Sequence, residues 1–130
     1  VLTALAAVCT AHPWEPPGHL RRIRGYVRLL ADRLAPLPHW PGMGDPAAVD
    51  ALARAAAVHD LGLAIAPGSG DRHPDVGCEV VDALAAGHGP ALPFLRPLRA
   101  VVRHHHERWD GGGHPDRLTG EHIPPAARVA

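Results

Sequence analysis

Lysine, asparagine and glutamine are absent from this 130-residue chain. All of its fixed positive charge is therefore arginine, 13 residues against 13 acids. A formal net charge of zero argues against non-specific duplex nucleic-acid binding, which depends on neutralising many phosphates. It leaves room for a small anionic ligand in a local pocket. Aromatic residues are only 4% of the chain, so a core has to be built from Leu, Val, Ala and a few Ile. Cys9 and Cys78 are far apart and fit no metal or redox spacing. They read as small buried apolar residues in a reducing compartment, and the chain is expected to be cytoplasmic. No apolar run reaches the length of a membrane span. The apolar stretch 1–9 has no basic residues before it, which makes it a poor signal peptide.

What is present points to one folded unit. The length suits a single compact domain, and 46% hydrophobic residues exclude a disordered tail. Abundant Ala, Arg, Gly and Pro read as the codon bias of a GC-rich genome and say nothing about mechanism. The chain begins without Met and stops inside what reads as the start of a helix. It is expected to be a fragment, one domain over 1–130, with further helices beyond its C-terminus. The informative number is 11 histidines, because histidine binds metals and moves protons near neutral pH.

Periodicity predicts helices throughout. Residues 1–12 read as the end of a helix, followed by the breaker cluster Pro13 to Gly18. Leu20, Ile23, Val27, Leu30 and Leu34 recur at helical spacing, with His19 one turn before Ile23. Asp45-Pro46 is a helix start, an N-cap acid and then proline at the first helical position. Val49, Leu52 and Ala56 mark the inner stripe of that helix, His59 continues it, and Gly62 ends it. After a loop over 66–72, a third helix runs from Pro74 to near Gly87 with Val76, Val80 and Leu84 inward. A fourth runs from about Pro93 to Arg108, with proline at 97 as a possible disturbance. A Gly-rich loop, Asp110 to Pro115, precedes a last helix that opens after Ile123-Pro124-Pro125. The expected fold is all-α, a single helical bundle of about five helices.

Six polar residues fall on inner faces or at helix ends: His19, His59, Asp60, His73, His105 and His106. One such residue alone reads as a satisfied core side chain. Together, across four helices, they read as a metal site of the kind helical bundles build from facing side chains. Nitrogen and carboxylate donors without thiolate suit Fe, Mn, Zn, Co or Ni. Six ligands exceed the needs of one tetrahedral zinc. Two or more metals side by side form a clamp for in-line displacement at phosphorus.

The most specific stretch runs from His104 to Ala130, HHHERWDGGGHPDRLTGEHIPPAARVA. With HDLGL at 59–63 and HPDVG at 73–77, the chain resembles the HD-GYP subgroup of the HD-domain phosphohydrolases. The resemblance covers Glu15 to Val129. It implies an all-α HD domain holding two or three divalent ions, Fe or Mn, and hydrolysis of cyclic di-GMP in bacterial signalling. By the same resemblance the metal ligands are His19, His59, Asp60, His73, His105 and His106, with Glu15 at the position that serves a third ion. Asp60 matches the bridging carboxylate, and His59 with Asp60 forms the candidate catalytic pair. The loop Gly111 to Pro115 matches the segment that gives the family its name. Gly113, His114 and Pro115, with Arg117 beyond them, are the candidate substrate contacts. Leu63 stands where the family has Lys, and His114 where it has Tyr. The implied partners are a cyclic dinucleotide and other signalling domains. Alternative readings are a hydrolase of another nucleotide or phosphate ester, and a non-catalytic sensor of nucleotide or metal. His104 is expected to lie exposed or behind the ligands. His12, His39, His88 and His122 read as surface residues, Trp109 and Asp110 as braces of the loop.

Overall fold

The computed structural model describes residues 1–12, 16–40, 42–88, 92 and 94–130. Among these, the regular structure is helical, as the periodicity predicts. The helices are α1 (Leu2–Thr10), α2 (His19–Leu34), α3 (Pro46–Ala56), α4 (Leu61–Ile65), α5 (His73–His88), α6 (Leu95–His104) and α7 (Pro125–Val129). Short 3-10 turns occupy Gly70–Arg72 and Gly120–His122. Five of the helices exceed two turns; the five-residue α7 is the expected last helix, and the five-residue α4 is one the periodicity does not show. None is long and apolar enough to cross a membrane.

Local chemistry explains the boundaries. The Asp45 carboxylate accepts the Ala47 backbone N–H at 3.0 Å, and Pro46 fills the first position of α3, where no N–H is needed. Pro97 does not disturb α6. It lies in the first turn of Leu95–His104, where backbone N–H groups have no intrahelical partner.

The core is aliphatic, as the scarcity of aromatics requires. Its fully buried members include Val27, Val58, Leu61, Val81, Leu98, Val101 and Val102. At about 25 cal/mol per Å² of apolar surface removed from water, each such side chain contributes roughly 1.5–3 kcal/mol. Cys9 and Cys78 are buried within it.

Several expectations need correction. The helix through Leu52 stops at Ala56, so His59 and Asp60 sit in a turn and do not extend its stripe. Gly62 does not end that helix; it lies inside α4. A Cβ on Gly62 would collide with the carbonyl of His73 and come within 2.9 Å of the Gly77 nitrogen. Its absence lets α4 and α5 touch through their backbones. Val80 and Leu84 pack half-buried against the core as expected, but the most buried face of α5 is Pro74, Gly77, Cys78 and Val81, and Val76 is only half-buried. Helix α6 ends at His104, not Arg108, and Leu30 is 43% exposed. His12 is half-buried, whereas His39, His88 and His122 lie at the surface as expected.

Candidate metal centre

Three chain segments meet where α4 and α5 touch: the turn before α4, the first residue of α5 and the end of α6. They bring Asp60, His73, His105 and His106 together, each offering one ligand atom within 4.8 Å of the others. His73 is the hub and is 5% exposed. Its Nε2 lies 3.0 Å from His105 Nε2, 3.1 Å from His106 Nε2 and 3.2 Å from Asp60 Oδ1.

The backbone sets which nitrogens can bind a metal. His73 Nδ1 lies 2.7 Å from the Gly70 carbonyl, and His105 Nδ1 lies 3.1 Å from the carbonyls of Val101 and Val102. A carbonyl only accepts, so both Nδ1 atoms carry the hydrogen and donate it. Both Nε2 atoms then present lone pairs, and they face each other at 3.0 Å. Two lone pairs at that distance repel unless a cation sits against them. The donor set therefore fits a divalent ion held by imidazole and carboxylate, with the Nδ1–H to carbonyl bonds orienting the ligands.

Asp60 divides the surrounding histidines. Its Oδ1 faces His73 at 3.2 Å and His105 at 3.4 Å, while its Oδ2 faces His59 Nε2 at 3.1 Å. His59 Nδ1–H donates to the Ala56 carbonyl at 2.9 Å, the same arrangement as at His73 and His105. The ring of His19 packs edge-on to His59, with centroids 5.9 Å apart. Five of the sequence-predicted ligands are thus in one network, and His19 adjoins it through His59. Glu15 lies outside the described residues.

Charge favours the metal-binding protonation states. Burial drives the Asp60 carboxyl upward, but the neighbouring imidazoles of His105 and His59 outweigh it and hold the group well below the ordinary carboxylate range, as the carboxylate a cation would bind. Desolvation, followed by the charges of His105, His73 and His114, pushes His106 down to about 4. His106 is therefore neutral at pH 7 and has a lone pair to offer.

The loop after α6 is held by groups the sequence reading did not single out. The Glu107 carboxylate accepts the backbone N–H groups of Asp116 at 2.7 Å and Leu118 at 2.9 Å. Arg103 makes a two-pronged bond to Asp116 and a third contact to Asp75 at 2.6 Å. His104 Nε2 also reaches Asp116, at 3.0 Å, so this half-buried histidine works behind the ligands. Hydrogen bonds from Arg103 and then His104 hold the Asp116 carboxyl down at about 2. Glu107 lies inside the quoted motif and was open to notice. The pairing of Arg103 with Asp75 and Asp116 depends on a fold that no spacing shows.

Of the expected substrate contacts, Gly113 is buried against the backbone of residues 106–108, where a Cβ would collide. His114 stacks on His106, and the His114–Pro115 peptide is cis. Arg117 is exposed, with φ of 54°. Trp109 is 63% exposed, and Asp110 braces the loop by accepting the Gly112 N–H at 2.9 Å. A cavity of about 590 Å³ opens elsewhere, between Met43, Leu52, Phe94 and Ala126. Its apolar lining contains none of the clustered donors.

Comparison with known proteins agrees with this geometry. Residues 72–129 match the family model described as HD domain. A cyclic di-GMP phosphodiesterase of Vibrio cholerae is 30% identical, over 98% of this chain and 29% of its own length. A 3'3'-cGAMP-specific phosphodiesterase of the same organism is 27% identical, over 96% of this chain and 24% of its own length. A cyclic di-GMP phosphodiesterase response regulator of Xanthomonas campestris is 40% identical over 45% of this chain and 14% of its own length. The chain thus spans less than a third of each of these relatives. With the HD motif, the HHE run and the Gly-rich loop joined in one site, residues 72–129 carry the HD-domain match and the chain as a whole is similar to the HD-GYP subgroup of that family.

Proposed function

We propose that this chain is the catalytic domain of a metal-dependent phosphodiesterase that hydrolyses a cyclic dinucleotide, with cyclic di-GMP as the first candidate. The observation that carries the reading is the division made by Asp60. One carboxylate oxygen faces His73 and His105, and the other faces His59. A carboxylate so placed suits a bridge between two ions, which we take to be Fe or Mn. His73, His105 and His106 would serve one side, and His59 with His19 the other. Glu15 is the candidate for a third ion. When bound, such ions supply Lewis acidity at phosphorus and lower the pKa of water.

The chain's own residues do the rest. His59 and Asp60 are the candidate catalytic pair, because they lie where the two donor sets meet. Gly113 lets the loop close onto the backbone behind His106. His114, stacked on His106, and Pro115 and Arg117 further along the loop are the candidate substrate contacts, and Arg117 would offer a guanidinium to a phosphate. Leu63, three residues after Asp60 in α4, adds no cation there. The names of the longer relatives support a place in bacterial cyclic-dinucleotide signalling, joined to other signalling domains in the cytoplasm. The relative named for 3'3'-cGAMP favours a second reading in which the bases differ.

The test is turnover of cyclic di-GMP and 3'3'-cGAMP, followed by chromatography, in the full-length protein loaded anaerobically with Fe(II) or Mn(II). A linear dinucleotide or mononucleotide product is expected. Binding without product, with metal confirmed in the protein, would replace the enzyme by a sensor. Turnover of other phosphate esters alone would move the substrate class.

A further inference from the structure

The clustered imidazoles are not all held in the same way. The rings of His73 and His105 are fixed by Nδ1–H donation to backbone carbonyls, at 2.7 Å and 3.1 Å. Among the described residues no such bond holds His106, whose Nε2 lies 3.1 Å from His73 Nε2. The rings of His105 and His73 meet it at tilts of 44° and 86°, with centroids 4.2 and 4.9 Å away, and neither lies flat against it to oppose a turn about χ2 that would swing the ligating nitrogen out of the cluster.

The flat contact comes from the loop. His114 stacks on His106 with centroids 4.8 Å apart and planes only 17° from parallel. The pair is also joined through the backbone, His114 N–H donating to the His106 carbonyl at 3.3 Å. His114 is itself immobilised. Gly113 before it is wedged against the backbone of 106–108, and Asp116 after it is gripped by Glu107, Arg103 and His104. His114 is not one of the four clustered donors.

We propose that His114 is a positioning residue: its flat ring clamps His106 so that His106 Nε2 stays aimed at the metal site. The inference rests on the metal-site reading above. What the clamp needs is an aromatic face and not an imidazole nitrogen, since stacking depends on the ring. Outer groups that orient metal ligands typically change affinity by about 10–100-fold when removed.

The experiment compares the parent with His114→Phe and His114→Ala in two states. In metal-free protein, the His106 ring proton shifts are read by NMR, where a stacked neighbour imposes a ring-current displacement. In the second state, Mn(II) affinity is read by chelator competition, with circular dichroism confirming the fold. His114→Phe is expected to keep the displaced His106 signals and to hold Mn(II) within about threefold of the parent. His114→Ala is expected to lose the displacement and to bind at least about tenfold more weakly. Parent-like affinity in His114→Ala overturns the proposal, as does a His114→Phe variant as weak as His114→Ala. A parent that binds no metal sinks the metal-site reading instead, and the metal-free spectra still report whether the rings stack.

Discussion

Adding one methyl group at Gly62 tests how the fold builds the metal site. The Cβ of Gly62→Ala would run into the His73 carbonyl oxygen and come 2.7 Å from its carbon and 2.9 Å from the Gly77 nitrogen. Ordinary contact begins near 3.4 Å. Every atom met is backbone, so no side-chain rotation relieves the clash, and α4 and α5 must part by on the order of 1 Å. Overpacking of this kind costs about 1–3 kcal/mol, which lowers the melting temperature of a domain this size by about 3–15 °C. The same displacement carries His73 away from Asp60, 3.2 Å distant in the intact site. Metal affinity should fall by about 10–100-fold, as when a ligand is displaced but not removed. Gly25→Ala is the control. Gly25 lies within α2 with nothing inside 4 Å of its would-be Cβ. There the same methyl should stabilise by about 0.5–1 kcal/mol through helix propensity and a stiffer unfolded chain. Thermal unfolding by circular dichroism and Mn(II) titration against a chelator read both variants. A Gly62→Ala protein that melts and binds metal like the parent would refute the argument.

Other expected outcomes follow from the same geometry. His59→Ala combined with Asp60→Ala removes the divided carboxylate and one neighbouring donor, and should abolish bound metal by elemental analysis; unchanged content would sink the site assignment. Arg103→Ala should release the Asp116 carboxyl from about 2 toward its ordinary 3.8, read by carboxyl carbon NMR. A depressed carboxyl stabilises the fold above its unfolded value, and the effect is lost as pH falls from near 3.8 through about 2. The parent should therefore lose this part of its acid resistance in that window, and Arg103→Ala should lack it at the outset. Asp45→Ala removes the N-cap of α3 and should cost about 1 kcal/mol in urea unfolding, with metal affinity unchanged because the cap lies at the far end of the helix from His59.

Much of this architecture was legible because helical spacing and capping chemistry are local. Asp45-Pro46 announced α3, and the Val, Leu and Ala positions announced an aliphatic core. The site residues were legible by type, since histidines at apolar positions need a partner. Their exact setting was not. The periodicity puts His59 on a helical stripe with Asp60 beside it, yet α3 ends at Ala56, because a periodic pattern does not mark where a turn begins. Gly62 was read as a stop signal, since a sequence cannot say whether a glycine is there for its φ or for the room it leaves. The Arg103, Asp75 and Asp116 grouping joins residues up to 41 apart, as the numbering of 75 and 116 shows, and only the fold brings them together.

The displacement of the ligands from helix interiors to helix ends has a chemical consequence. A helix leaves the carbonyls of its last turn without following N–H groups of the same helix to complete the ladder. His59, just past α3, gives its Nδ1–H to the Ala56 carbonyl, and His105, just past α6, gives its Nδ1–H to Val101 and Val102. His73, first residue of α5, does the same to Gly70 in the 3-10 turn before it. In each case one bond serves two ends. It gives a second donor to a carbonyl at a helix boundary that already accepts a backbone N–H, and it fixes the tautomer that leaves Nε2 as the ligating atom. These Nδ1–H bonds are what arm the three imidazoles for metal, and His106, which has no such bond among the described residues, is the one whose ring His114 stacks on.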